Sequence, residues 1–189
     1  MALALPVLAA VALGLALGGR LADLARLELR ASWLFFAAIG LQLVAFPLPV
    51  FPWETGEGVA SALWLLSCGL LVVAAGLNVR IAGVPIVAAG MLLNLVAILA
   101  NGGTMPVTPA AMEAAGERYA TNANSTAMSD PNAPWLVDRW AAPDWIPFAN
   151  VFSVGDVVIA IGAFVLVLAA MGVNPRHRLV ARDRLDVGQ

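Results

Sequence analysis

Charge interrupts this chain so seldom that five long stretches contain none: Met1 to Gly19, Ala31 to Trp53, Gly58 to Val79, Ile81 to Met112 and Val157 to Pro175. A helix of roughly 20 apolar residues crosses about 30 Å of hydrocarbon. In lipid every backbone N–H and C=O has to be satisfied inside its own segment, so these stretches are predicted to be helices rather than strands. The fourth is too long for one helix and is expected to break at Asn101-Gly102-Gly103-Thr104-Met105-Pro106, where two glycines loosen the backbone and Pro106 cannot continue the hydrogen-bond ladder. The predicted spans are 2–19, 31–50, 58–77, 81–100 and 153–172. The expected fold is all-α: one integral-membrane domain, a polytopic bundle of five transmembrane helices with a partly structured outer loop (101–152) and a cytoplasmic tail (173–189).

Composition excludes the main alternatives. Of 189 residues, 61% are hydrophobic and 12% charged, whereas a soluble domain carries about a quarter charged residues. That balance argues against a soluble enzyme, a nucleic-acid binder or a disordered chain. The ten basic residues are all arginine and are scattered, so they form no groove for a nucleic acid. The single cysteine, Cys68, lies in an apolar run and allows neither an internal disulfide nor a thiolate metal site. The first apolar stretch has no basic residues before it and three arginines after it, which reads as a retained helix rather than a secretory signal.

The arginines set an orientation. Arg20, Arg26 and Arg30 follow the first span, Arg80 follows the third, and Arg176, Arg178, Arg182 and Arg184 lie in the tail. The alternate segments hold only Arg118 and Arg139, but carry Glu54, Glu57, Glu113, Glu117, Asp130, Asp138 and Asp144. By the positive-inside rule the N-terminus is expected outside the cytoplasmic membrane and the C-terminus in the cytoplasm.

In the outer loop, Thr108-Pro109 reads as an N-cap followed by proline at the first helical position, opening a short helix to about Tyr119. The polar stretch from Thr121 to Pro134 is expected to be mobile. Within it, Asn124-Ser125-Thr126 matches a glycosylation acceptor by pattern alone. Trp135, Trp140, Trp145, Phe148 and Phe152 then form an aromatic stretch expected to lie at headgroup level, as a belt or as a lid over the bundle.

Ionisable groups at membrane depth are costly and draw attention. Asp156 stands at the outer margin of the last span, because the apolar run Val157 to Val173 measures only about 26 Å as a helix. Ser153-Val154-Gly155-Asp156 also has the spacing of a capping box, in which Asp156 needs no further role. Gln42, Asn94 and Asn101 fall at the same outer level. Together with Asp156 they form a candidate ligand-binding set, or else act as interhelical fasteners. Gly14 and Gly18 form a GxxxG that indicates close packing, within the chain or between chains. His177 sits among the tail arginines and reads as a headgroup-facing side chain. No metal-ligand cluster, catalytic triad or phosphate loop is visible, and no cofactor is expected.

The segments Asn101-Gly102-Gly103-Thr104-Met105-Pro106-Val107 and Val151-Phe152-Ser153-Val154-Gly155-Asp156, with Asp138 in the loop between them, resemble a family of small bacterial membrane proteins known as domain of unknown function 5317. Gly18-Gly19-Arg20-Leu21 and the Gln42 helix fit the same pattern, whereas Thr121 to Pro134 fits it least and is given no functional role. The resemblance implies a polytopic protein of the bacterial cytoplasmic membrane and no activity. Two functional readings stand. One is an outward-facing polar pocket that binds or transports a small solute, an ion or a lipid headgroup. The other is a non-catalytic accessory or scaffold protein whose polar groups only join helices. An enzyme ranks third, since Asp156 alone offers a single general base. The bilayer is the one partner the composition demands.

Overall fold

The computed structural model describes residues 4–46, 54–116, 125–143 and 151–173. Among them are seven helices and four short strands: α1 (Ala4–Ala16), α2 (Leu21–Leu24), α3 (Trp33–Ala45), α4 (Glu57–Leu77), α5 (Val84–Ala100), β1 (Met105–Val107), α6 (Pro109–Ala115), β2 (Ser125–Ala127), β3 (Trp140–Ala141), β4 (Val151–Phe152) and α7 (Val154–Ala170). The protein is therefore mostly helical. One helix among the described residues, over Gly58–Leu77, is long and apolar enough to cross a membrane, and the other apolar helices are shorter.

Five apolar helices lie where apolar stretches predict them, but four stop short of the predicted span ends. Backbone geometry accounts for several of these ends. Gly18 turns left-handed (φ 82°) after α1, Gly83 (φ 88°) and Pro85 set the start of α5 at Val84, and Gly172 (φ 75°) closes α7. The left-handed region is open to glycine at little steric cost. Only α4, over Glu57–Leu77, reaches the full predicted length.

Helix α5 is central: it lies against α7 on one side and α4 on the other, while α3 pairs with α4 and α1 with α7. Ala10 of α1 meets Val167 and Met171 of α7 in one apolar cluster. A second cluster joins Ala97 and Ile98 of α5 to Met105 and Leu136 of the loop, with Trp64, Leu65 and Cys68 of α4 against it.

Among the described residues, the segment between α5 and α7 carries regular structure. Thr108 caps α6, its hydroxyl accepting from the Ala111 N–H at 3.3 Å, but the helix ends at Ala115 because Gly116 takes φ 56°. The stretch expected to be mobile instead supplies β2, which pairs in parallel with β1, Pro106 opposite Thr126. Val107 also bridges Asp138. β3 and β4 pair antiparallel, stacking Trp140 on Phe152 at 5.7 Å. Trp135 stays 63% exposed. Asn124, Trp145, Phe148 and His177 lie outside the described residues.

Two asparagines at helix C-caps make the same clamp. Asn78, after α4, donates from Nδ2 to the carbonyls of Ala74 (2.8 Å) and Arg30 (2.9 Å) and accepts from the Arg30 N–H at 2.8 Å. Asn101, after α5, donates to the carbonyls of Ala97 (2.7 Å) and Asn132 (2.9 Å) and accepts from the Asn132 N–H at 2.8 Å. Each clamped residue precedes an alanine at φ 51°, Ala31 and Ala133, the two non-glycine residues with positive φ among those described.

Candidate functional site

The site begins with four glycines. Gly83 at the N-cap of α5 and Gly90 within it are seven apart, as are Gly155 and Gly162 on α7, so each pair returns to nearly the same side of its helix. The helices run antiparallel with Gly90 against Gly155 and Gly83 against Gly162. A Cβ on Gly90 would stand 2.6 Å from the Gly155 carbonyl oxygen, and one on Gly162 would stand 2.5 Å from the Val87 nitrogen. Absent side chains let the two backbones meet directly. Asn94, one turn beyond Gly90, thereby reaches the first turn of α7, where its amide occupies the space a Cβ on Gly155 would need.

At that turn the capping box of α7 is complete. Ser153 is fully buried, and its hydroxyl accepts from the Asp156 N–H at 3.1 Å, while the Asp156 carboxylate Oδ2 accepts from the Ser153 N–H at 3.0 Å. Asn94 ties the box to α5: Nδ2 donates to Asp156 Oδ1 at 2.9 Å, leaving Oδ1 of the amide 2.9 Å from the Ser153 hydroxyl. That hydroxyl is also 3.0 Å from Asp156 Oδ2. Its one proton serves one of these two acceptors at a time.

Beside this turn lies a cavity of about 380 Å³. Asn94, Asp156 and Asp138 give its polar wall, with Ser125 of β2, and Trp64, Leu71, Met91, Leu95 and Ile159 are among its apolar lining. Asp138 comes from the loop. Its N–H donates to the Pro106 carbonyl and its carbonyl accepts from the Thr108 N–H, both at 3.0 Å, so the bridge to β1 fixes its backbone. The side chain is 8% exposed. Burial, followed by the negative charge of Asp156, pushes the Asp138 carboxyl up to about 7. Two buried polar atoms of this lining, Asp138 Oδ1 and Trp64 Nε1, have no hydrogen-bond partner among the described residues.

Of the four residues singled out in the sequence, Asn94 and Asp156 bond to each other and line this cavity. Gln42 and Asn101 are placed elsewhere. Gln42 Nε2 donates to the Ser67 hydroxyl at 3.2 Å, fastening α3 to α4. Asn101 has both amide protons engaged in its clamp, which leaves it no donor for a ligand. Gly14 lies against the Met171 side chain of the same chain, whereas Gly18 belongs to the turn that follows α1. Asp138, Trp64 and Ser125 were not singled out for a site. The signal for Asp138 was its place in an apolar, proline-rich segment between two motifs, and for Ser125 none is evident.

Residues 26–168 match the model of a family described as a family of unknown function, DUF5317. Every residue lining the cavity falls within that match. No curated protein and no solved structure matches the chain.

Proposed function

The chain belongs to the DUF5317 family of unknown function, and with no activity inherited from that membership we propose that it is a multi-pass protein of the bacterial cytoplasmic membrane that binds a small solute, ion or lipid headgroup in the Asp138–Asp156 cavity. Its helices support the membrane setting. Only 22% of the most apolar window of α4 is buried, whereas a core helix of a soluble protein would be mostly enclosed. Phe36 is 72% exposed, and Leu8, Ile39, Leu66, Leu99 and Ile161 are more than half exposed on the other apolar helices and α4. Apolar surface of this extent calls for lipid as its solvent. The 13- and 17-residue helices α3 and α7 measure about 20 and 26 Å, and a bundle of this kind accommodates the shortfall by local thinning of the bilayer. With the arginines inside, the five apolar helices cross with the cavity at the outer face.

The observation that carries ligand binding is Asp138 Oδ1 in the cavity lining, without a partner among the described residues. A buried polar atom without a partner costs about 1–3 kcal/mol, and a ligand donor would offset that cost. Native mass spectrometry of the full chain tests this: a small molecule should survive gentle purification with the wild type, and be lost from Asp156→Asn at equal stability. A bare wild-type chain would sink the reading.

One observation favours the accessory reading. Asn94, Ser153 and Asp156 already satisfy one another as a cap and a helix tie. On that reading Asp156→Asn costs about 1 kcal/mol, and any cellular phenotype follows protein abundance alone.

A further inference from the structure

Resting on the ligand-binding reading above, we infer that the cavity takes a small organic cation, a protonated amine whose ammonium lies between Asp138 and Asp156 and whose apolar body lies against Leu71, Met91, Leu95 and Ile159.

The sign of the wall comes first. Among the described residues the cavity lining holds two carboxylates and the Cys68 thiol as its titratable groups, and no basic side chain. The nearest arginine in sequence, Arg139, is exposed, with its guanidinium carbon 5.3 Å from the centre of the Trp140 ring. Hydrogen-bonding capacity comes second. Asp156 already accepts from Asn94 and Ser153, which leaves it part of a carboxylate's roughly four acceptor sites. Asp138, more than nine-tenths buried, keeps Oδ1 without a donor among the described residues. An ammonium brings three donors and no acceptor. Size comes third. A volume of about 380 Å³ equals roughly a dozen waters at about 30 Å³ each, so a bare inorganic cation would leave most of an apolar-walled space to water. An amine with a short hydrocarbon body fills it. The buried Trp64 N–H, also unpartnered among the described residues, offers one further contact to an acceptor on such a ligand.

Uptake exchanges protons. Where Asp138 is protonated, the incoming ammonium favours its carboxylate, and the displaced proton leaves to solvent while the amine keeps its own. One proton released per cation bound makes affinity rise about tenfold per pH unit below the Asp138 pKa and level off above it.

The test uses the full chain in phosphatidylcholine nanodiscs, with thermal unfolding followed against hexylamine, hexanol and potassium chloride. Hexylamine should stabilise saturably, with its half-saturation concentration falling about tenfold per unit between about pH 5 and about pH 7 and little beyond. At about pH 8, D138N should need roughly tenfold more hexylamine and show no pH step. Equal stabilisation by hexanol overturns the cation while leaving a ligand cavity in place. Equal, saturable stabilisation by potassium chloride overturns the organic body in favour of an inorganic ion. No saturable shift with any of the three overturns the inference and the ligand-binding reading together. Should D138N lack a cooperative transition, the wild-type pH step decides alone, and its absence overturns the inference.

Discussion

Asp138 is a carboxyl held in a buried place by its own backbone: two main-chain bonds to the Pro106–Thr108 segment fix the residue, which is 8% exposed. With its pKa raised from 3.8 to about 7 by burial and by Asp156, the folded state binds a proton that the unfolded state has released. Stability contributed by this group is therefore intact below about pH 4 and declines as pH rises towards about pH 7. At about 1.4 kcal/mol per unit the cost at neutral pH is a few kcal/mol. Thermal unfolding across this range should show Asp138→Asn with a flatter profile than the wild type and a higher midpoint at about pH 8. Coincident profiles would show that the side chain reaches water. Asn101 makes the opposite case, an amide consumed by structure. Asn101→Ala removes three bonds and the support of left-handed Ala133, a loss of about 2–3 kcal/mol at roughly 1 kcal/mol per bond. Denaturant unfolding should register that loss, and ligand affinity should stay unchanged because the amide has no donor to offer the cavity.

At the scale of the element, glycine changes meaning with its neighbours. Gly155 and Gly90 form the α5–α7 crossing, where an added methyl meets backbone or the Asn94 amide. Gly69, on α4, has nothing within 4 Å of the position a Cβ would take. Gly90→Ala should therefore lower stability by about 1–3 kcal/mol, and Gly69→Ala should raise it by about 0.5–1 kcal/mol through reduced chain entropy. Unfolding midpoints moving in the same direction would contradict this account of the crossing. The same contrast explains what the sequence made legible. Signals contained in one turn were readable: the Ser153–Asp156 capping box, the Thr108-Pro109 start of α6, and the shared depth of Asn94 and Asp156. The Gly14–Gly18 GxxxG at the end of α1 has a familiar spacing, yet the crossing that builds the site uses a seven-residue spacing divided between two helices. Neither pair signals anything until its partner helix is known. Asp138 was hidden for a related reason, since its burial depends on a bridge to Val107 rather than on any local pattern. The polar stretch after Thr121 looked unable to repay its ordering, but pairing with the buried strand β1 and the Asn101 clamp supply that stabilisation from outside the segment.

For the whole molecule, orientation decides which compartment the cavity serves. Asn78 and Asn101 cap successive antiparallel helices, so one clamp stands at each end of the bundle, and the acid-bearing loop with Asp138 stands at the Asn101 end. The proposed topology puts that end outside, because Arg80 lies between α4 and α5 beside the Asn78 clamp, on the side that the arginine bias also gives to Arg26 and Arg30. Each basic residue held on the cytoplasmic side adds about 1 kcal/mol of attraction to anionic lipid there, and the outer loop has little opposing basic charge. Single cysteines placed in a Cys68→Ala background make this measurable. Ser129 and Arg80 are both exposed, so neither substitution should disturb the fold. In intact cells a membrane-impermeant maleimide should label Ser129→Cys and spare Arg80→Cys, and permeabilisation should make both reactive. Labelling in the reverse order would turn the bundle over, placing Asp138 and Asp156 on the cytoplasmic side and requiring any amine that binds them to come from within the cell.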